Sequence, residues 1–227
     1  MSTSVPLRID FVSDVSCPWC AVGLKALEEA IARVGDEVAV ELHFQPFELN
    51  PQMPAEGQNI DEHLAQKYGS TPAQLAQNRE ALRERGAAVG FEFRSRSRIY
   101  NTFDAHRLLH WAAEQGPEAE RALKHALLQA YFTDDQNVSA HAVLVGLAAE
   151  VGLDAARASD ILATDAYATA VREQEQRYLG RGINAVPSVI VNDQHLIQGG
   201  QPAAVFEQAL RQIAGRAGAV PAVARST

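Results

Sequence analysis

The sequence contains two cysteines, and they stand close together as Cys17-Pro18-Trp19-Cys20. Two thiols at this spacing can form a disulfide and be reduced again, which is the chemistry of thiol–disulfide exchange. In that exchange one thiolate attacks a disulfide of another molecule, and the second thiol displaces the attacked molecule. The motif therefore predicts a redox site in which Cys17 and Cys20 are the candidate catalytic residues. Pro18 and Trp19, which lie between them, are candidate substrate-binding residues.

The motif falls where a predicted strand is followed by a predicted helix. Leu7–Val12 is a short apolar stretch typical of a buried strand, and proline at position 18 suits the first turn of a helix, where a missing N–H breaks no hydrogen bond. Cys17 then occupies the N-cap, where free backbone N–H groups and the positive end of the helix dipole stabilise an anion. We therefore expect Cys17 to be the attacking thiolate and Cys20 to be the resolving thiol.

Other interpretations of the cysteine pair remain open at this point. A structural zinc ion needs four ligands, but the sequence has no second cysteine pair, and the spacing of its histidines does not connect them to the motif. Free cysteines are also among the most frequently buried residues, so an inert pair is the other alternative. The sequence predicts no metal site and no cofactor beyond the dithiol itself.

A second motif, Ala185-Val186-Pro187-Ser188, leads into the apolar run Val189–Val191. Proline cannot donate a hydrogen bond to a sheet and is tolerated at the first residue of a strand. Because this motif occurs together with the cysteine pair, we expect the Val186–Pro187 bond to be cis and the Val186 backbone to lie beside Cys17. An extended peptide could pair with that backbone, which makes Val186 and Pro187 candidate substrate-binding residues.

Strand and helix patterns divide the chain into two α/β segments and a helical block between them. The first segment has the predicted elements Leu7–Val12, Pro18–Val34 and Val38–Phe47. The middle has predicted helices at Ile60–Tyr68, Pro72–Val89, Thr102–Gln115, Pro117–Thr133, Ala140–Val151, Ala155–Ala163 and Tyr167–Gly180, with a short extended segment at Phe91–Arg98. The last segment has strands at Ser188–Val191 and His195–Gln198 and a helix at Pro202–Ala214.

This order predicts an α/β protein in which one sheet is interrupted by an insertion. We expect residues 1–54 and 183–214 to form the two parts of the sheet domain, residues 55–182 to form the helical insertion, and residues 215–227 to be a flexible tail. Asp10 and Asp14 flank the end of the first strand, and a buried carboxylate beside Cys20 could accept its proton. The sequence leaves open which of them points inward.

Charge and composition limit the partners of the chain. Its 227 residues include 20 basic and 28 acidic side chains, a net charge of −8, and 47% hydrophobic residues, as in a soluble globular protein. The acidic balance argues against nucleic acid and membrane surfaces, and no apolar run reaches the roughly 18 residues of a membrane helix. The N-terminal segment lacks the features of a secretory signal, so if Met1 is the native start we expect a cytoplasmic protein with reduced thiols.

Several segments together resemble the DsbA-like thioredoxin family, most closely its FrnE-type branch. They are Ser16–Cys20, Phe44–Pro51, Asn101–Arg107 and Ala185–Ser188. The resemblance spans about residues 7–213 and implies a thioredoxin fold, β-α-β and β-β-α, with a large all-helical insertion. It also implies a nucleophilic Cys17, a resolving Cys20 and a cis proline at Pro187. The implied activity is thiol–disulfide exchange with peptides or proteins that contain disulfides, and the implied recycling partner is glutathione or a thiol reductase.

Two departures from the family pattern bear on which reaction we expect. Periplasmic relatives carry a signal peptide and a histidine where this chain has Trp19, and some FrnE-type proteins have an additional cysteine pair that is absent here. Both departures favour disulfide reduction or isomerisation over oxidative folding. The second hypothesis is a glutathione-dependent transferase or isomerase, because the kappa-class transferases and hydroxychromene carboxylate isomerases of the same superfamily are similar around Asn101-Thr102. A non-enzymatic zinc-binding or interaction module is the third, and a homodimer is left open.

Overall fold

The structure is a computed structural model that describes residues 4–218. Its strands are β1 (Val5–Ser13), β2 (Val38–Pro46), β3 (Gln58–Asn59), β4 (Arg98–Ile99), β5 (Ser188–Val191) and β6 (His195–Gln198). Its helices are α1 (Pro18–Val34), α2 (Ile60–Tyr68), α3 (Pro72–Ala88), α4 (Phe103–Gln115), α5 (Pro117–Phe132), α6 (His141–Glu150), α7 (Ala155–Ala163), α8 (Ala168–Gly180) and α9 (Ala203–Gly218). The predicted mixed α/β thioredoxin fold is therefore confirmed.

Within residues 4–218 the main sheet has four strands in the order β2-β1-β5-β6. β1 runs parallel to β2 and antiparallel to β5, and β6 is antiparallel to β5. Val12 near the end of β1 pairs with Ser188 at the start of β5. Since the two strands run in opposite directions, this register places the loop before β5 next to the loop that follows β1. The two predicted motifs lie on these loops.

The two faces of the sheet are covered by different helices. Alternate residues of β1 point to opposite faces, and Leu7, Ile9 and Phe11 join the main core together with buried residues of α1 and α9. On the other face, Val12 packs against Tyr178 of α8. Helices therefore lie on both sides of the strand that ends at the cysteine motif, and they hold that end in place.

The helical block closes against the edge strand β2. Helix α5 contacts β2, and the Phe44 N–H donates to the Glu120 carboxylate with a distance of 3.3 Å. Phe11 of the sheet and Tyr131 of α5 belong to the same continuous core. We propose that residues 55–182 are an insertion, because the strands that precede and follow this segment in the chain share one sheet. The insertion is topological only, since its side chains complete the core of that sheet.

The structure differs from the predicted elements at a few places. The segment Phe91–Arg98 is not a strand as a whole, and only Arg98–Ile99 pairs with Gln58–Asn59. The last helix continues to Gly218, so residues 215–218 of the predicted flexible tail are helical, and residues 219–227 lie outside the described residues. The apolar spacing of that helix ends near Ala214, and the next two residues, Gly215 and Arg216, are exposed. No helix within residues 4–218 has the length and apolar character that a membrane crossing requires.

Candidate active site

The cysteine motif forms the turn between β1 and α1 and the first turn of the helix. Cys17 is the N-cap with an extended backbone, and Pro18 occupies the start of the helix. The Cys20 and Ala21 N–H groups donate to the Cys17 carbonyl at 3.1 and 3.4 Å, and the Cys17 N–H donates to the Asp14 carbonyl at 3.3 Å. The motif therefore lies in a strand–turn–helix arrangement, as the sequence predicts.

The residues of the motif differ in exposure. The Trp19 side chain is exposed by 41%, Pro18 is half-buried, Cys17 is exposed by 3% and Cys20 is fully buried. The Arg85 guanidinium of α3 lies 6.0 Å from the centre of the Trp19 ring, a distance typical of a cation–π contact. Burial raises the pKa of the Cys20 thiol well above its ordinary value, and the adjacent Cys17 adds to this effect. Cys20 is therefore a protonated thiol at neutral pH.

The second motif lies directly beside the first. The Val186–Pro187 peptide bond is cis, and the Cys17 thiol donates to the Val186 carbonyl with an S···O distance of 3.7 Å. Pro187 packs against α1 at Gly23, where a Cβ atom would lie 3.0 Å from the Pro187 ring. Glycine at position 23 permits this close approach because it has no side chain. The structure thus brings Cys17 together with Val186, which is half-buried and can be reached by another molecule.

Of the two aspartates near the first strand, Asp14 is the one that organises the motif. Its carboxylate accepts hydrogen bonds from the Ser16 N–H at 3.2 Å, the Ser16 hydroxyl at 2.9 Å and the Leu49 N–H at 2.7 Å. Asp10 is also buried, but it accepts from the Arg8 guanidinium and the Gln45 amide. The sequence leaves open which of the two aspartates points inward. In the structure both are buried, and Asp14 is the one that bonds to the turn before Cys17.

His106 is a buried partner of Asp14, with a distance of 3.6 Å between its Nε2 atom and the Asp14 carboxylate. Burial alone would raise the pKa of Asp14, but the neighbouring His106 and the hydrogen bond from the Leu49 N–H hold that pKa below its ordinary value. Sequence spacing alone predicts a packing role for His106, because it forms an i, i+4 pair with His110 but no carboxylate or cysteine stands at a spacing that would complete a ligand set. Its partner is 92 positions away, a relation that spacing within one helix cannot reveal.

Two further charged residues near the motif were not predicted at all. Glu120 and Lys124 lie four residues apart on the buried face of α5, and Lys124 is exposed by only 1%. The available signal is that these charges interrupt the apolar stripe of α5, which otherwise contains Leu123, Leu127 and Leu128. A charged residue at a core position is rarely tolerated unless it has a partner or a function.

Glu48, in the loop after β2, and Glu175, on α8, form a buried pair of carboxylates. The Arg172 guanidinium contacts both Glu48 and Glu175, the latter at 2.8 Å. Burial, and after it the charge of Glu175, raise the pKa of Glu48 to about 7, although the charge of Arg172 acts in the opposite direction. Two carboxylates that share one guanidinium repel each other when both are ionised, which favours the protonated form of one of them. The Glu48 carboxyl therefore takes up a proton near neutral pH.

Glu48→Gln is expected to weaken the pH dependence of stability between about pH 4.5 and pH 7, the range in which Glu48 is protonated in the folded but not in the unfolded protein. The pKa of Glu48 in the folded protein is about 7, above its ordinary value of 4.5. The associated stabilisation is complete below pH 4.5 and is lost as the pH rises through 7, so the wild type should lose of order 2 kcal/mol of unfolding free energy. The glutamine variant, which cannot ionise, should lose less. Urea unfolding at several pH values measures the difference.

The matched control is Glu173→Gln, which removes an exposed carboxylate from α8, the helix that carries Glu175. This variant should keep the pH dependence of the wild type. An unchanged pH dependence in Glu48→Gln would show that another group is responsible. Glu120, whose pKa burial also raises to about 7, titrates in all three proteins and so cancels from the comparison.

In the part of the chain that the structure describes, no three or more histidine, cysteine, aspartate or glutamate side chains converge into a metal site. Asp14 is the carboxylate that hydrogen bonds join to the turn before Cys17.

Comparison with known proteins places these features in context. A family model, "DSBA-like thioredoxin domain", matches residues 8–211. The uncharacterized protein YwbO of Bacillus subtilis (strain 168) is 32% identical over 205 residues, which are 90% of this chain and 96% of that protein. The crystal structure of "probable DsbA oxidoreductase SCO1869" from Streptomyces coelicolor is 37% identical, with a TM-score of 0.87 over 92% of this chain and 90% of that one.

A more distant structure shares the fold. The cytosolic disulfide reductase DsbM from Pseudomonas aeruginosa, solved with glutathione (GSH), has 20% identity and a TM-score of 0.59. The alignment covers 90% of this chain and 99% of that one. At this level of identity the likeness concerns the fold alone.

Proposed function

The chain belongs to the DsbA-like thioredoxin family, and from this premise we propose that it reduces or isomerises disulfides of peptides or proteins. Cys17 is the nucleophile and Cys20 is the resolving thiol. The observation that carries the proposal is the asymmetry of the pair. Cys17 caps a helix beside the accessible Val186 backbone, whereas Cys20 is fully buried behind it with a raised pKa.

The reaction has two exchange steps. The Cys17 thiolate attacks one sulfur of a substrate disulfide, the S–S bond breaks, and the other substrate sulfur leaves as a thiolate. Cys20 then loses its proton and attacks the Cys17 sulfur of the mixed disulfide, which releases the second substrate thiolate. The substrate gains two electrons, and the protein ends as the Cys17–Cys20 disulfide. An external thiol must reduce this disulfide before the next turnover.

Substrate binding follows from the surroundings of Cys17. Val186 lies at the entrance to β5 and its carbonyl is 3.7 Å from the Cys17 sulfur. An extended peptide can form main-chain hydrogen bonds to this segment while its disulfide meets Cys17. Trp19 is the exposed apolar side chain next to the sulfur and can contact apolar residues of the substrate. We also assign the half-buried Pro18 to substrate binding, and the buried Pro187 supports the Val186 segment from beneath, against Gly23.

Glutathione is the external thiol that we propose, and the cytoplasm is the compartment. Both proposals are supported by the family resemblance and by the shared fold of DsbM, a cytosolic disulfide reductase solved with glutathione. The dithiol is the redox centre, and the reaction as proposed requires no metal or built-in cofactor.

Cys20→Ser is expected to trap a mixed disulfide with glutathione. Cys17 can still attack oxidised glutathione in this variant, but no thiol remains to displace the bound half. Intact-protein mass spectrometry after incubation with oxidised glutathione should therefore find one glutathionyl group on nearly every molecule. Peptide mapping should locate it on Cys17.

Cys17→Ser is the matched control and should remain unmodified, because the remaining thiol is buried and protonated. An adduct on Cys17→Ser but not on Cys20→Ser would reverse the assigned roles. Undiminished turnover of Cys20→Ser in the presence of glutathione would instead indicate a glutathione-dependent transferase or isomerase. Stoichiometric zinc in the purified wild type would indicate the metal-binding alternative.

A further inference from the structure

Arg85 of α3 is an exposed arginine that contacts the cysteine motif. The helix has two other arginines, and both are paired, Arg79 with Asp61 and Arg83 with Glu80. Within residues 4–218 the Arg85 guanidinium forms no ion pair, and its contacts are instead an aromatic ring and a backbone carbonyl. Its charge is therefore left uncompensated by the described part of the chain.

The guanidinium lies between the cysteine motif and the loop that precedes α9. Its central carbon is 6.0 Å from the centre of the Trp19 ring, and its Nη2 atom donates to the Gly200 carbonyl at 3.4 Å. Gly200 itself packs against the motif, because a Cβ atom there would lie 3.0 Å from the Trp19 carbonyl oxygen. Three segments, namely the start of α1, the end of α3 and the loop before α9, therefore meet at the Arg85 guanidinium.

The backbone next to Arg85 is held from the inside of the protein. Gly86 is buried, its carbonyl accepts from the Phe91 N–H at 2.8 Å, and a Cβ atom at this position would overlap the ring of Phe93. Phe93 belongs to the main core. The last turn of α3 is thus fixed before any substrate arrives, so binding at Arg85 costs little ordering of the backbone.

Arg85 has hydrogen-bond donors to offer to another molecule. A guanidinium carries five N–H donors in a planar fork that can bind both oxygens of a carboxylate. Only Nη2 has an acceptor within residues 4–218, and that hydrogen bond is long. The whole chain has a net charge of −8, which repels an anionic substrate on average. An uncompensated cation beside Trp19 is therefore the local feature that attracts one.

Any molecule that reacts with Cys17 and contacts Trp19 also approaches this guanidinium. A carboxylate one or two residues from the attacked sulfur lies within about 7 Å of it along an extended chain. We propose that Arg85 binds such a carboxylate, so that the protein favours disulfides with an acidic group within two residues of the S–S bond. Oxidised glutathione and acidic cystine peptides share this chemistry. The inference rests on the proposed function and adds its substrate class.

A purely structural role for Arg85 makes a different prediction. A brace between α3 and the Gly200 loop would affect every substrate equally, whatever its charge. The hydrogen bond that such a brace would use is exposed and 3.4 Å long, so it contributes little to stability. The charge of the substrate therefore separates recognition from support.

The test compares matched disulfides that differ in charge. They are the disulfide dimers of acetyl-Xaa-Cys-Xaa-amide with aspartate, asparagine or lysine at Xaa, together with oxidised glutathione. Reduced protein is mixed with an excess of each, samples are quenched with acid, and mass spectrometry gives the rate constant for loss of the reduced protein. Each variant is compared with the wild type on the same disulfide, so the intrinsic reactivity of the disulfide cancels.

Arg85→Gln should slow the reaction with the aspartate peptide and with oxidised glutathione about tenfold, the effect of losing one hydrogen bond to a charged group. The rate with the asparagine peptide, which has the same shape without the charge, should change less than about twofold. Arg85→Glu should reverse the preference and accelerate the reaction with the lysine peptide. Added salt should reduce these differences, because it screens exposed charges.

Arg83→Gln is the matched control on the same helix, because Arg83 is exposed and already paired with Glu80. Its rates should stay within about twofold of the wild type with every disulfide. Circular dichroism confirms that each variant is folded before its rates are compared.

The outcomes separate this inference from the proposed function. Equal slowing of all three peptides in Arg85→Gln would show a structural role, and unchanged rates would show no role, so either result overturns the inference. If the reduced wild type reacts with none of the disulfides, the proposed function itself fails. Slowing that is confined to the aspartate peptide and glutathione supports the inference, and a larger effect with one of them identifies the preferred source of the carboxylate.

Discussion

Cys17→Ser is expected to lower the rate at which the protein reduces a disulfide-bonded peptide by at least about 10³-fold, as with the loss of other nucleophiles. A serine hydroxyl is not ionised near neutral pH and cannot form a disulfide. The fold should be retained, because a hydroxyl at this position can still donate to the Val186 carbonyl. The measurement is steady-state reduction of a peptide whose fluorescence rises on cleavage of its disulfide, with glutathione as the reductant.

Cys20→Ser is the matched control, since it makes the same chemical change one helical turn away. This variant keeps the nucleophile, so it should react once and then turn over only as fast as glutathione releases the trapped half. Its activity should lie between that of the wild type and that of Cys17→Ser. Loss of activity in Cys20→Ser with near-normal activity in Cys17→Ser would contradict the proposed mechanism.

Asp14→Ala is expected to reduce the free energy of unfolding by about 3–5 kcal/mol, the usual effect of removing one partner from a buried pair. Without the carboxylate, the buried His106 loses its partner, and the Ser16 and Leu49 groups that donate to Asp14 lose their acceptor. The turn that carries Cys17 also loses its anchor, so disulfide exchange should slow as well. Urea unfolding monitored by circular dichroism gives the stability, and the peptide assay gives the activity.

Acidic pH should reduce the difference in unfolding free energy between the wild type and Asp14→Ala. The pKa of Asp14 in the folded protein is lowered from 3.8, so its stabilisation is present above about pH 4 and is lost as the pH falls through the folded pKa. Asp36→Ala, which removes an exposed carboxylate, should change stability little at any pH. A similarly small effect of Asp14→Ala near pH 7 would show that the Asp14 interactions do not hold the turn.

Local sequence patterns were sufficient to predict most of the helices and strands. Pro18 after the N-cap, and Gly35 after an apolar stripe, mark the two ends of α1, and these ends agree with the structure. Thr71 before Pro72 marks the start of α3 in the same way, and the structure has a capping box there with Gln74. Such signals depend on hydrogen bonds between residues three or four positions apart, so the printed sequence contains all of their partners.

Some boundaries depended on contacts that local patterns do not contain. Tyr167, predicted as the first residue of a helix, has a left-handed backbone with a φ of 63° and precedes α8. Its hydroxyl donates to Glu114, 53 residues away, at 2.6 Å. Similarly, the short ladder of Gln58–Asn59 with Arg98–Ile99 joins segments about 40 residues apart. No spacing rule within a single element anticipates such pairings.

By itself the sequence determined the chemistry of the site: two thiols one helical turn apart, with the first at the N-cap of a helix. Tertiary structure alone decided what surrounds them. The antiparallel pairing of β1 with β5 brings Val186 to Cys17 across 169 positions, and the packing of α5 on β2 buries Lys124 beside the Phe44 ring. The physical reason is that a cap or a helical turn needs only neighbouring residues, whereas the environment of a buried sulfur depends on which distant segments share its core.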